Sequence, residues 1–479
     1  MYQKNRKIII LFDYCIIYNY NNIERGISMI FKKLTLHNFK SFKNLEFDIS
    51  GPQNSVKKSV FIYGENGAGK SNLISAFSFL RLTLNTLNIQ DFLFKFFHEK
   101  KEQIEQEEFT EFLNRYRSSI PFLIKENKLI GSNENMEIVY EFVIDNKNGS
   151  YSLCFDDEKL ISEELKFAFE KNKVDILRID SNKKISYFNK KIFKDNKYCE
   201  IIEDLARKYF GKHSVMAIIN NEMGKNNYQY MTEKFDEKFI SFLEEFNDFS
   251  VLCKFHTFQE SFVKISDNVI NNFEKGYLDV KESFNLENTE ELLNYYFTSL
   301  YSDIKGVFYK KVIKDDKIKY KLMFRKMISG EIREIPYDFE STGTQKILEL
   351  LPYFYQVING ETVLIDEVDT GIHDLLIEHM LLNIKDQMKG QLIITTHNSK
   401  LLENLNPESV YVINVDIDGN KEILSISDFE ERVQANHNLK NRYFKGLFGG
   451  IPYLGHFDLT EIVNKIESKE NENAKEKKS

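Results

Sequence analysis

Gly64-Glu65-Asn66-Gly67-Ala68-Gly69-Lys70-Ser71 is the stretch whose reading decides the fold. It fits G-x-x-x-x-G-K-[ST], a loop whose backbone N–H groups close around phosphate oxygens. Small residues matter there because Cβ atoms would obstruct the approach of the backbone to an anion. The preceding Ser59-Val60-Phe61-Ile62-Tyr63 reads as a short buried strand, and Asn72-Leu73-Ile74-Ser75-Ala76-Phe77 opens a helix. The positive end of that helix faces the loop. In this pattern Gly64, Gly67, Ala68 and Gly69 line the anion, Lys70 reaches the β/γ-phosphates and Ser71 ligates Mg²⁺. The bland alternative is a glycine turn that only caps a helix.

Working outward, 479 residues allow two or three domain-sized units, or one large domain with an insertion. A 42% hydrophobic content supplies a real core, and a formal net charge of −8 argues against a surface coated for DNA while permitting a local basic patch. Cys15, Cys154, Cys199 and Cys253 are widely spaced and form no CxxC, which suits neither a disulfide framework nor a zinc site. Ile8–Ile17 is too short to span a bilayer and is interrupted by Asp13. A cytoplasmic protein with no membrane partner is expected, with residues 1–28 as a dispensable extension.

Met29–Leu36 reads as a first strand, and Leu45, Phe47 and Ile49 alternate with Glu46 and Asp48 as a second. The helix after the glycine loop is expected to run to about Leu87. Ile138–Ile144 and Tyr151–Phe155 flank a hairpin signal, Asn146-Lys147-Asn148-Gly149. From about Glu200 to Leu300 the pattern reads as helical, with a Phe239/Phe242/Leu243/Phe246 stripe taken as ordinary packing. Lys310–Phe324 reads as a hairpin around Asp315-Asp316 whose second strand alternates Lys317, Lys319 and Lys321 with Ile318, Tyr320 and Leu322. That basic face is either a solvated edge or a nucleic-acid contact. Residues 467–479 are charged and poor in apolar residues, a disordered tail.

A second group of residues completes a phosphate site. Gly360–Glu367 reads as an apolar strand ending in two carboxylates, Asp366-Glu367. A parallel strand beside the glycine loop would deliver both carboxylates to it, Asp366 to hold Mg²⁺ and Glu367 to polarise a water. Gln391–Thr396 is a further strand, ending in His397, which is expected to sense the γ-phosphate. Ser341-Thr342-Gly343 precedes an apolar helix; Ser341 or Thr342 suits its N-cap, Gly343 leaves amides open to an anion, and Pro352 is expected to kink the helix. Asp416-Ile417-Asp418-Gly419 reads as a hairpin turn rather than an acid pair for metal.

Together these pieces resemble the ABC-type ATPase heads of the SMC, RecF and OLD group: the loop spelling, Val363–Glu367 as a Walker B strand, Ser341-Thr342-Gly343 as a reduced signature, Asp369–His373 as a D-loop and His397 as a switch histidine. More narrowly, the chain is similar to bacterial AAA-family ATPases of the RloA and AbiL type from phage-defence loci, through Asn38–Phe42, Glu340–Lys346 and Arg442–Pro452. The resemblance implies an α/β P-loop head with a mixed sheet, split into 29–90 and 301–466 by a long, partly helical insertion at 91–300. It implies ATP and Mg²⁺ as cofactors, Asn66 and Asn72 beside the nucleotide, catalytic Lys70, Glu367 and His397, and a head-to-head homodimer or higher homo-oligomer. In that assembly Ser341 and Gly343 serve ATP held by the other subunit. The expected role is the sensor ATPase of an anti-phage system with a separately encoded nuclease or toxin. The alternatives are a RecF/SMC-like DNA-repair ATPase, which keeps nucleic acid open as a partner, and an ATP-gated scaffold with little turnover.

Overall fold

The computed structural model describes residues 29–52, 55–100, 119–255, 258–263, 268–429, 438–451 and 458–466. The expectations for residues 1–28 and 467–479 lie outside the described residues. In chain order the first elements are β1 (Ile30–Phe39), β2 (Phe42–Asp48), β3 (Ser59–Gly64), α1 (Lys70–Lys100), α2 (Ile120–Asn127), β4 (Met136–Ile144), β5 (Lys147–Phe155), β6 (Leu160–Phe167), β7 (Val174–Asp180) and β8 (Ile185–Phe188). There follow α3 (Asn196–Tyr209), α4 (Val215–Lys225), α5 (Tyr228–Lys234), α6 (Glu237–Phe246), β9 (Phe249–Phe255), β10 (Phe258–Phe262), β11 (Lys275–Asp279) and α7 (Ser283–Leu300). The last are β12 (Ile304–Lys314), β13 (Lys317–Ile328), β14 (Glu331–Pro336), α8 (Thr342–Ile358), β15 (Thr362–Ile365), α9 (Asp374–Gln387), β16 (Gln391–Thr395), β17 (Val410–Val415), β18 (Lys421–Ser425) and α10 (Leu439–Phe444).

The strand leading into the glycine loop lies in the middle of a seven-stranded mixed sheet of order β10-β9-β15-β16-β3-β17-β18. The inner five strands are parallel, and β10 and β18 close the edges antiparallel. Both faces are covered, so the inner strands β3, β15, β16 and β17 are mainly apolar, as a parallel sheet requires. Alternation along each strand decides the side. Val60, Ile62, Leu364 and Ile393 enter one apolar cluster, whereas Phe61, Tyr63, Val363, Ile365, Leu392 and Ile394 enter the other.

On the first side α1 and a seven-stranded antiparallel sheet, β2-β1-β4-β5-β6-β7-β8, fill the space. The N-terminal hairpin and residues 136–188 are therefore one sheet, joined where β1 pairs β4 (Leu34↔Tyr140, Leu36↔Ile138). The β4–β5 turn is Asp145-Asn146, both at positive φ (48° and 61°), three residues earlier than Asn148-Gly149 of the hairpin signal. Gly149 is instead a strand residue opposite Phe142, where a Cβ would come within 2.3 Å of the phenyl ring. The α6 stripe packs on this sheet, with Phe246 5.1 Å from Phe142 and Phe242 4.7 Å from Phe167.

Residues 200–300 are not helical throughout. β9, β10 and β11 interrupt the helices, and β9 pairs in parallel with β15 as a strand of the central sheet. A seven-residue apolar run cannot be told from a buried helical segment by periodicity, and its partner lies more than a hundred residues away. Helix α1 also outruns its expected end by 13 residues, because α4 packs along it: Asn220 Nδ2 donates to the Leu84 carbonyl at 3.1 Å and Asn221 Nδ2 to Asp91 at 2.9 Å. On the second side lie α8, α9 and a smaller antiparallel sheet in which β13 pairs β12 on one edge and β11 and β14 on the other. Helix α8 carries Pro352, where a kink is expected, in its interior and continues past it to Ile358.

Candidate functional site

The glycine loop bridges β3, which ends at Gly64, and α1, which begins at Lys70. Gly67 and Gly69 take left-handed φ values of 86° and 109°, and a Cβ on Gly69 would sit 2.9 Å from the Phe42 ring. The loop is thus walled on its outer side by the β1–β2 hairpin. Lys70 is buried, and its Nζ donates to the carbonyls of Gly64 (2.7 Å) and Glu65 (3.1 Å). Burial pulls its pKa down, while the charges of Asp366, Glu367, Asp369 and Glu65 act to raise it.

Three of those charges, Asp366, Glu367 and Asp369, follow the C-terminal end of β15. The strand order differs from the expectation: β16 lies between β3 and β15, so the acidic strand is one strand removed from the glycine loop. β16 carries the hydroxyl that joins the two. Thr395 Oγ1 donates to Asp366 Oδ1 at 2.6 Å and accepts the Glu367 amide at 2.7 Å. Asp366 is buried, and Glu367 is a non-glycine residue at φ 48°. Such a backbone costs about 1–3 kcal/mol and is held only where the surroundings fix it. Here the Thr395 hydrogen bond and Thr370 Oγ1, which donates to Glu367 Oε2 at 3.2 Å, do so.

His397 follows β16 directly. Its amide donates to the Asp369 carboxylate at 3.1 Å, and its side chain opens to solvent. Partial desolvation and then the Lys70 charge hold its pKa below the usual imidazole value. Its neighbour Asn398 is fixed on both sides, accepting from Tyr63 Oη at 2.9 Å through its carbonyl and donating from Nδ2 to the Asp374 carbonyl at 2.9 Å.

Ser341 and Gly343 lie at the start of α8. Ser341 is the N-cap of α8, its Oγ accepting from the Thr344 amide at 3.1 Å. Gly343 lies against the turn that follows Glu367, where a Cβ would be 2.9 Å from the Gly371 carbonyl. Ser341 and Thr342 are exposed, whereas Glu340 is buried and paired with Lys326 Nζ at 3.1 Å. Asp416 forms the expected turn, its Oδ1 accepting the amides of Asp418 (2.9 Å) and Asn420 (2.7 Å).

Two contributors went unread in the sequence. Lys421 on β18 donates to the Gly67 carbonyl at 2.9 Å and to Ser41 Oγ at 3.0 Å, and Ser41 Oγ also accepts from Asn72 Nδ2 at 2.7 Å. A lone lysine opening a short strand carries no signal of this. The second is the loop after α10. The Tyr443 ring lies 5.7 Å from that of Tyr63, tilted by 60°, its hydroxyl donates to the Gly450 carbonyl at 2.8 Å, and a Cβ on Gly450 would lie 3.4 Å from Gly64 Cα. The run Gly446, Gly449, Gly450, all left-handed, was the available clue.

A glycine loop opening a helix, with an acidic strand end and a polar strand end beside it on one parallel sheet, defines a P-loop ATPase. The chain belongs to the family described as "AAA domain, putative AbiEii toxin, Type IV TA system", whose model matches residues 59–403. A protein of Helicobacter pylori named "ATP/GTP phosphatase" is 22% identical over 390 residues, covering 78% of this chain and 87% of its own. Among solved structures, an SMC head bound to the C-winged helix domain of ScpA matches with a TM-score of 0.40 at 14% identity, over 82% of this chain and 97% of its own. The SMC head domain from Thermotoga maritima gives a TM-score of 0.35 at 13% identity, over 82% and 98%. Among the described residues no helix is long and apolar enough to cross a membrane.

Proposed function

We propose that this ATPase works as a nucleotide-gated switch, the sensor or regulatory component of an anti-phage defence system acting on a separately encoded effector. The observation that carries the reading is the meeting of charges: Lys70 lies in the field of Asp366, Glu367 and Asp369, although the residues are some 300 positions apart in the chain. In this reading Lys70 and the loop amides take the β- and γ-phosphates. Ser71 and Asp366 hold Mg²⁺. A hydroxyl and a single buried carboxylate are hard oxygen donors, and Mg²⁺ is ordinarily bound by one or two carboxylates together with substrate phosphates. That suits the described residues, among which no group of three or more His, Cys, Asp or Glu side chains is arranged for a metal. Glu367 polarises the attacking water, and His397 contacts the γ-phosphate.

The exposed Ser341-Thr342 end of α8 supports a dimer in which this segment completes the partner's site. Binding of the γ-phosphate then joins two half-sites and hydrolysis releases them, so nucleotide state becomes assembly state. The toxin system in the family's description supports the defence setting.

The test combines turnover with assembly. Glu367→Gln is expected to keep ATP binding and lose about 10²-fold or more in turnover. Equal, negligible rates in both forms would leave only a scaffold. Ser341→Arg is expected to bind ATP as a monomer and fail to dimerise; ATP-dependent dimers in that variant contradict the trans arrangement. Purification from its native gene neighbourhood should yield a second protein whose retention depends on nucleotide, and a preparation that never contains one refutes the effector role.

A further inference from the structure

The smaller antiparallel sheet carries a grid of positive charge that the nucleotide site does not use. Directly opposed residues of antiparallel strands share a face, so the registers of β11, β13 and β12 define its rows. The first is Lys275-Lys321-Lys310, the second Tyr277-Lys319-Val312 and the third Asp279-Lys317-Lys314. The opposite face holds buried Ile318, Tyr320 and Leu322, which pins the lysines outward. Lys310, Lys314, Lys317 and Lys319 are exposed; Lys321 and Lys275 share one carboxylate, Asp338, at 2.9 and 3.3 Å.

Lysines directly opposite one another destabilise a sheet pair, and this face opposes Lys310 to Lys321 and Lys317 to Lys314 in a chain of net charge −8. A solvated edge gains nothing from such pairing, whereas a polyanion lying across it does. The middle row separates two lysine-rich rows and is not itself uniformly charged. Tyr277 is 59% exposed and Val312 58%, with Lys319 Nζ 5.8 Å from the tyrosine ring. Exposed π-face and apolar surface between cationic rows is the arrangement that takes stacked bases and flanking phosphates. Rows along a strand repeat every two residues, about 6.6–6.8 Å.

We propose that the face built by β11, β13 and the distal half of β12 binds single-stranded nucleic acid, with phosphates on the lysine rows and a base on Tyr277. The assignment is independent of the reading of the ATP site, since none of these residues belongs to it.

Anisotropy of a labelled single-stranded oligonucleotide of about 20 nucleotides, titrated with the full chain between about 50 and 200 mM salt, tests this. Binding should weaken with salt at a slope of about −0.7 per phosphate neutralised. Lys317→Glu/Lys319→Glu should weaken binding at least tenfold and flatten that slope, with ATP turnover measured without nucleic acid unchanged. Tyr277→Ala should cost about fivefold or more with the slope kept. No binding at low salt with or without ATP overturns the proposal, as does a double-lysine variant that binds like the parent. Tighter binding of the matching duplex overturns the single-strand assignment. Binding of poly-glutamate in place of the oligonucleotide would make the face a protein-docking surface instead.

Discussion

Two buried ionisable groups, Glu163 in the antiparallel sheet and Lys70 in the glycine loop, are satisfied in opposite ways. Glu163 accepts the amides of Val215 (2.6 Å) and Met216 (3.1 Å) at the start of α4 and the hydroxyl of Tyr151 (2.7 Å). Each partner is fixed by secondary structure, and together they clamp β6 to β5 and to α4. Lys70 is held by two loop carbonyls and lies in the field of carboxylates at the C-terminal end of β15, an inner strand, next to a left-handed Glu367. A charge whose partners are all rigid belongs to the fold, whereas one parked on a ligand loop is available to a substrate. The strained backbone sits beside the second and not the first, as expected where geometry serves chemistry.

The strongest attempt to break that contrast is Lys70→Ala. Loss of the cation is expected to lower ATP turnover by about 10²-fold or more, while the thermal midpoint stays within a degree or two of the parent because no rigid partner is orphaned. A large drop in the midpoint would make Lys70 a structural charge and erase the distinction.

Glu163 gives the next effect, on stability. Burial pushes its carboxyl up to about 7, against the pull of Val215, Tyr151 and Met216 toward lower values. A carboxyl raised on folding binds its proton more tightly in the native state. Its contribution is full below the ordinary value near 4.5 and is lost as pH rises through 7. The parent should therefore lose on the order of 3 kcal/mol relative to Glu163→Gln between pH 4.5 and 8, measured by urea unfolding at several pH values. A difference that does not vary with pH contradicts the shift.

The smallest effect sharpens the boundary of the site. Lys421→Ala removes donors to Gly67 and Ser41 at the outer wall of the loop. A loss of about 1 kcal/mol in ATP affinity, near fivefold, is expected with turnover at saturation little changed. An unaltered Kd would place Lys421 among the surface lysines.

Much of the candidate site is legible because its pieces are local. The glycine loop, the Asp366-Glu367 strand end and His397 each sit in a short stretch whose residue types are fixed by backbone approach, sheet burial or charge. The order of the strands was not legible, since β16 and β15 have the same apolar composition and parallel neighbours leave no local mark. For the same reason β9 was taken into a helical region, though it stands next to β15. The union of β1 with β4 was hidden too, because β2, β3, α1 and α2 come between them in the chain.

By itself the amino-acid order determined a phosphate-cradling strand–loop–helix, a carboxylate pair ending a buried strand, and an alternating lysine strand, all of which follow from side-chain size, polarity and period over fewer than ten residues. Tertiary structure alone decided that Thr395 ties the carboxylates to the neighbouring strand, that Lys421 and the Tyr443–Gly450 loop brace the glycine loop, and that three strands align their lysines into one face. Those are pairings between remote segments, and they are chosen by how whole sheets and helices exclude water together, a quantity no short stretch of chain carries.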